Sequence, residues 1–232
     1  MPADIYDEAQ AAELERWSLS APVRALGPVA RYLSFLFQRY NVSFAFSGDF
    51  AAFLRGGRRG PQDVDLTVGT SMAHLEDILR EEARVYFPQT HENNFVHFFV
   101  RNGREWDPDL LVAYEEPVRV TIIIEGHWGM PQGLPRGVEM LRSIPGGDPV
   151  PVINLSHHIV SILLVIEDNP DLPEWEEVLE LENFVIEYLD NVAVLGELLE
   201  WYQRRWDIPS RTPSPPSLVS SEGALSEYGD SP

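Results

Sequence analysis

From residue 23 to residue 68 the spacing of apolar residues switches repeatedly between the helical and the extended period, and each switch is only a few residues from the last. Val23, Leu26, Val29, Leu33, Leu36 and Phe37 recur every three to four residues, which predicts a helix over 23–40 that docks one face on a core and ends at Asn41. The short apolar run 42–46 predicts a strand. Ser47-Gly48-Asp49 then predicts a tight turn, and Phe50, Phe53 and Leu54 resume helical spacing until Gly56-Gly57 stops it. Residues 63–68 alternate polar and apolar, as a strand with one buried face does, and residues 72–83 read as the next helix. Residues 95–101 and 118–125, rich in β-branched and aromatic side chains, read as further strands. Switching this fast requires helices packed on a sheet. The expected class is α/β (α+β), a mixed sheet with flanking helices.

Charge divides the chain. Residues 143–203 hold 13 acids and no basic residue, and within them 154–166 and 175–206 read as helices separated by the Asp168-Asn169-Pro170 break. The segment from 207 to 232 has five prolines and seven serines among 26 residues and too little apolar surface to offset its ordering entropy. The expected organisation is therefore an α/β domain over 1–150, an acidic helical module over 151–206 and a disordered tail over 207–232. The acidic helices offer a surface to a protein partner.

A net charge of −20 repels phosphate backbones and anionic headgroups, which argues against general nucleic-acid or membrane-surface binding. The chain has no cysteine and no lysine, since all 17 basic residues are arginine. Thiolate nucleophiles, zinc–thiolate sites, Schiff-base chemistry and a P-loop lysine are thereby excluded. The acidic start, MPADIYDEAQ, lacks the basic and apolar regions of a signal peptide, and the longest apolar run, 162–166, is far below membrane-spanning length. A cytoplasmic protein is the expectation.

Asp63 and Asp65, two apart on an expected strand, direct both carboxylates to one face. Two hard oxygen donors can hold magnesium while water and phosphate complete its shell; by itself the pattern equally describes a polar face turned to solvent. Upstream, Ser47-Gly48 lies between a strand and a helix N-terminus, where free N–H groups attract phosphate and a glycine permits close approach. Arg55, Arg58 and Arg59 lie between turn and carboxylates. Guanidinium groups suit a triphosphate, and the bland alternative is a solvated loop with Arg55 paired to an acid at the edge of the core.

The string from Phe44 to Gly56, with Arg59 and Asp63-Val64-Asp65-Leu66, resembles the signature of the nucleotidyltransferase-fold superfamily, in particular the lincosamide- and aminoglycoside-type adenylyltransferases and their fungal relatives. The resemblance implies a turn, Ser47-Gly48, that holds nucleotide phosphates, aided by Arg55 and Arg59, and two catalytic magnesium ligands, Asp63 and Asp65. It also implies a third acid on a later strand that activates an acceptor hydroxyl, and transfer of a nucleoside monophosphate from a magnesium-bound nucleoside triphosphate to that hydroxyl. Two departures point to a degenerate member that serves as a nucleotide- or protein-binding module. Asp49 replaces the turn's second small residue, and Thr121 falls by spacing at the third-acid position. A threonine hydroxyl is no general base near neutral pH.

Glu125, Asp107 and Asp109 are the other acids weighed for that role. His157-His158 reads as capping or surface, and His91 and His97 as structural or solvent-facing. The Ser-Pro and Thr-Pro pairs of the tail are what its composition generates by chance.

Overall fold

Asp7 opens the first helix with a capping box. Its carboxylate accepts from the Gln10 N–H at 2.9 Å, and the Gln10 side chain accepts from the Asp7 N–H at 3.1 Å, an arrangement that stabilises a helix start by about 1 kcal/mol. The computed structural model describes residues 2–56, 60–107, 116–141, 149–155, 157, 158 and 161. In chain order the elements are β1 (Asp4–Tyr6), α1 (Glu8–Ser18), α2 (Val23–Arg39), β2 (Ser43–Phe46), α3 (Gly48–Leu54), β3 (Val64–Gly69) and α4 (Met72–Arg80). They continue with β4 (Val85–Pro88), β5 (Phe95–Val100), β6 (Val118–Ile124), a 3-10 turn at Leu134–Arg136, β7 (Val138–Leu141) and β8 (Val150–Ile153).

Among the described residues the strands form one eight-stranded mixed sheet in the order β1-β4-β5-β6-β3-β2-β8-β7. The α/β class expected from the sequence is the class observed. Strand β3 lies parallel to β6 and antiparallel to β2, and β5 runs antiparallel to β6. Strands β1, β4, β7 and β8 and helix α1 had no counterpart in the sequence reading. β7 lies within the Gly/Pro-dense stretch after residue 126, and β8 continues the sheet across residues 150 and 151. Three- and four-residue strands carry too few alternations to register as a period.

Alternation decides which side of the sheet is dry. Val64, Leu66 and Val68 of β3 and Val118, Val120 and Ile122 of β6 are fully buried and join one core with Leu26, Leu33 and Phe37 of α2 and Leu75 and Leu79 of α4. Each such side chain contributes roughly 1.5–3 kcal/mol of burial. The intervening residues, Asp65 and Thr67 on β3 and Arg119 and Thr121 on β6, face the other way. That second face is covered near one end of the strands by α1, whose Leu14 packs with Tyr6 and Phe99, and elsewhere by Met130 and Leu134 over Ala45 and Ile153.

Most of the expected helical module and all of the expected tail lie outside the described residues. Of the expected module, residues 151–155, 157, 158 and 161 are described: 151–153 belong to strand β8, and Leu155, His157, His158 and Ser161 are helical.

Candidate functional site

Gly48 adopts φ +54°, in the left-handed region that favours glycine. A Cβ built on it would lie 2.3 Å from Asp65 Oδ2 and 2.8 Å from Asp65 Cγ, so the Asp65 carboxylate rests against the bare glycine. The Ser47 N–H donates to the Asp65 carbonyl at 2.9 Å, which fixes the turn beside strand β3. Turn and carboxylate thus meet. Ser47 Oγ is buried with no hydrogen-bond partner among the described residues.

Asp63 sits one residue before β3. Its Oδ2 accepts from Arg119 Nη2 at 2.6 Å and from Arg119 Nε at 3.0 Å, while Arg119 Nη1 donates to Glu15 of α1. Although burial acts against its charge, Asp63 and then Glu15 hold the Arg119 guanidinium more firmly protonated than usual. Asp65, by contrast, is pushed well above the carboxylate range, first by desolvation and then by the charges of Asp63 and Asp49.

Across the sheet Asp65 pairs in register with Thr121, and Thr121 pairs with His97. His97 Nδ1 lies 3.0 Å from Thr121 Oγ1, and the Thr121 side chain also hydrogen-bonds Asp65. All three groups are satisfied when the Thr121 hydroxyl donates to Asp65 and accepts from an Nδ1-protonated His97. Burial, with Arg119 acting in the same direction, lowers the His97 pKa. Phe95 packs edge-on to the His97 ring at 4.3 Å.

The remaining site residues named from the sequence go elsewhere. Arg55, with its side chain only 2% exposed, is ion-paired to Glu139 and donates to the Ile153 carbonyl at 2.5 Å. It ties the end of α3 to β7 and β8. Arg59 and Asp109 lie outside the described residues. Glu125 accepts from the Gly133 and Leu134 N–H groups at 3.1 and 3.0 Å, capping the 3-10 turn, and Asp107 is ion-paired to Arg84. Neither carboxylate takes the place left by Thr121.

No protein family and no curated protein matches this chain. Among solved structures, a Thermotoga maritima protein provisionally described as a nucleotidyltransferase aligns over 63% of this chain and 91% of that one, at 16% identity and a TM-score of 0.37. Likeness that distant assigns no chemistry here, so the side chains themselves have to carry the functional reading.

They do not fit a divalent cation as they stand. Magnesium demands a near-octahedral set of hard oxygens at about 2.0–2.1 Å. Here one of the two carboxylates is already forked by a guanidinium, the other is held by a hydroxyl, and the third position is neutral. Among the described residues no group of three His, Cys, Asp or Glu side chains is placed to hold a metal ion.

Arg119, given no role in the sequence reading, belongs to this region, as do His97, read there as structural or solvent-facing, and His158, read as capping or surface but in fact buried. His158 is buried and contacts the Gly48 backbone; burial, reinforced by the Arg55 charge, pushes it down to about 4, with the Gly48 hydrogen bond opposing. Only for Arg119 did the sequence hold a signal. It alternates with Val118 and Val120 on the strand that carries Thr121, so it shares the Thr121 face.

Proposed function

We propose that this chain is a nucleotidyltransferase-like protein that has lost nucleotidyl transfer and uses the polar face formed by the Ser47-Gly48 turn and strands β3 and β6 as a binding module. The observation that carries the reading is the register of β3 and β6. Thr121 lies directly beside Asp65, the position from which a third carboxylate would reach an acceptor hydroxyl, and its hydroxyl is already engaged by Asp65 and His97. A positioned general base typically contributes about 10²–10⁴-fold in rate. Glu125 and Asp107, each tied to other partners, supply no substitute.

The active alternative moves a nucleoside monophosphate from a magnesium-bound nucleoside triphosphate to a hydroxyl acceptor. What favours it is the approach of Gly48 to Asp65, which brings the turn at the start of α3 against a carboxylate. Pyrophosphate release from ATP and GTP with a panel of hydroxylated acceptors separates the two. The binding-module reading expects no release above background from the native protein. Turnover lost in Asp65→Asn would overturn it. Calorimetry with the same nucleotides, with and without magnesium, then reports whether the module takes a nucleotide or a protein partner.

A further inference from the structure

Arg119 bridges sheet and helix, running from Asp63 at the foot of β3 to Glu15 on α1. Nε and Nη2 both donate to one oxygen of Asp63, and the third nitrogen of the guanidinium is taken by Glu15. The Arg119 side chain is 29% exposed and that of Asp63 13%, so water screens this pair less than it screens an ion pair at the surface. A divalent ion coordinated to Asp63, even through the oxygen that the guanidinium leaves open, would sit beside a positive charge held from behind by Glu15.

We propose that Arg119, anchored by Glu15, takes the place of a divalent cation between Asp63 and Asp65, so that this cleft carries its own fixed positive charge and is closed to divalent metals. The inference rests on reading this face as a nucleotidyltransferase-type cleft. It depends on Arg119 and Glu15, however, and not on the loss of the third acid. Its consequence is that whatever the cleft binds is bound without magnesium, and that removing one guanidinium opens a metal site in a chain that lacks one. Asp63 would then be released to share a cation with Asp65, the next residue on the same strand face.

The test is a manganese titration of the full chain followed by electron paramagnetic resonance, with circular dichroism to establish folding. The native protein and Arg119→Lys should show only the weak, unsaturable background of an acidic surface. Arg119→Met should gain one saturable site at least about tenfold tighter than that background, and Arg119→Met/Asp63→Asn should lose it again. Arg119→Gln, which keeps hydrogen-bonding capacity without the charge, is the second route should the methionine variant not fold. A saturable manganese site in the native protein that disappears in Asp63→Asn would overturn the proposal, as would a folded Arg119→Met that binds no better than native. If neither variant folds, the native titration still decides. Native manganese binding without pyrophosphate release refutes the Arg119 assignment alone, whereas native turnover without a manganese site refutes the binding-module reading alone.

Discussion

Replacing Gly48 with alanine tests the contact on which the whole cleft rests. The residue holds φ +54°, which costs an L side chain roughly 1–2 kcal/mol. The new methyl would also fall 2.3 Å from Asp65 Oδ2 and 3.0 Å from Asp65 Cβ, so the carboxylate must move by about an ångström or the start of α3 must lift. Overpacking of this kind costs about 1–3 kcal/mol, and displacing Asp65 from Thr121 forfeits a hydrogen bond worth about 1 kcal/mol. Together these predict a loss of about 3–6 kcal/mol, which for a chain of this size lowers the melting temperature by roughly 6–24 °C. Urea unfolding of native protein, Gly48→Ala, Asp65→Ala and the double variant closes a thermodynamic cycle. Shortening Asp65 removes the oxygen overlap and leaves the backbone strain, so the double variant should recover about 2 kcal/mol relative to additivity. A Gly48→Ala protein within about 0.5 kcal/mol of native, or additive effects of the two substitutions, would show that the carboxylate does not rest on the turn.

Because desolvation, with Asp63 and Asp49, holds the Asp65 proton more tightly in the folded than in the unfolded chain, this group turns against the fold as pH rises from the ordinary carboxylate range through its higher folded value. Asp65→Asn should therefore gain stability on the native protein as pH rises above the ordinary carboxylate range in urea melts, and parallel curves would refute the shift. His158 works with the opposite slope. Its pKa is pushed down to about 4, so the unfolded chain takes up the proton first and stability falls as pH drops below the ordinary histidine range, by roughly 3 kcal/mol at most. His158→Gln should flatten that part of the curve; an unchanged acid limb would place the imidazole in water. Asp107→Ala leaves the buried Arg84 guanidinium without its carboxylate and should cost about 3 kcal/mol, with a loss under about 1 kcal/mol counting against the burial of the pair.

What the sequence could say about this fold follows from the length of its signals. Helix α2 was legible because six apolar residues hold one spacing over about four turns, and β3 and β6 because alternation persists for six or seven residues. Helix α1 was not, since its solvent-rich pattern leaves only Leu14 and Ser18 buried, and what marks its start is the polar Asp7–Gln10 box. Within the candidate site, the pairing of Ser47-Gly48 with Asp65 followed from local order along the chain. Arg55 illustrates the limit: an arginine next to a glycine-rich loop reads the same whether it points at a ligand or, as here, at Glu139 across 84 residues of sequence. His97 was hidden for the same reason, because its partner is set by the β5–β6 register.

The arginine at 119 and the threonine at 121 also make sense together. Asp65 already carries the repulsion of Asp63 and Asp49 in a desolvated position, and a third carboxylate in register beside it would add to that repulsion unless a cation were bound. A hydroxyl at Thr121 relieves the conflict, since it donates to Asp65 and accepts from His97, while Arg119 neutralises Asp63 two residues earlier on the same strand face. Each change lowers the need for metal that the other would otherwise leave unmet. An aspartate restored at 121 alone would meet His97 at hydrogen-bond distance and draw that imidazole toward its charged form, ending as an internal ion pair before it could serve as a base. The face is thus a self-neutralised polar row built across three strands, Asp63 and Asp65 on the β3 side, Arg119 and Thr121 on β6 and His97 on β5.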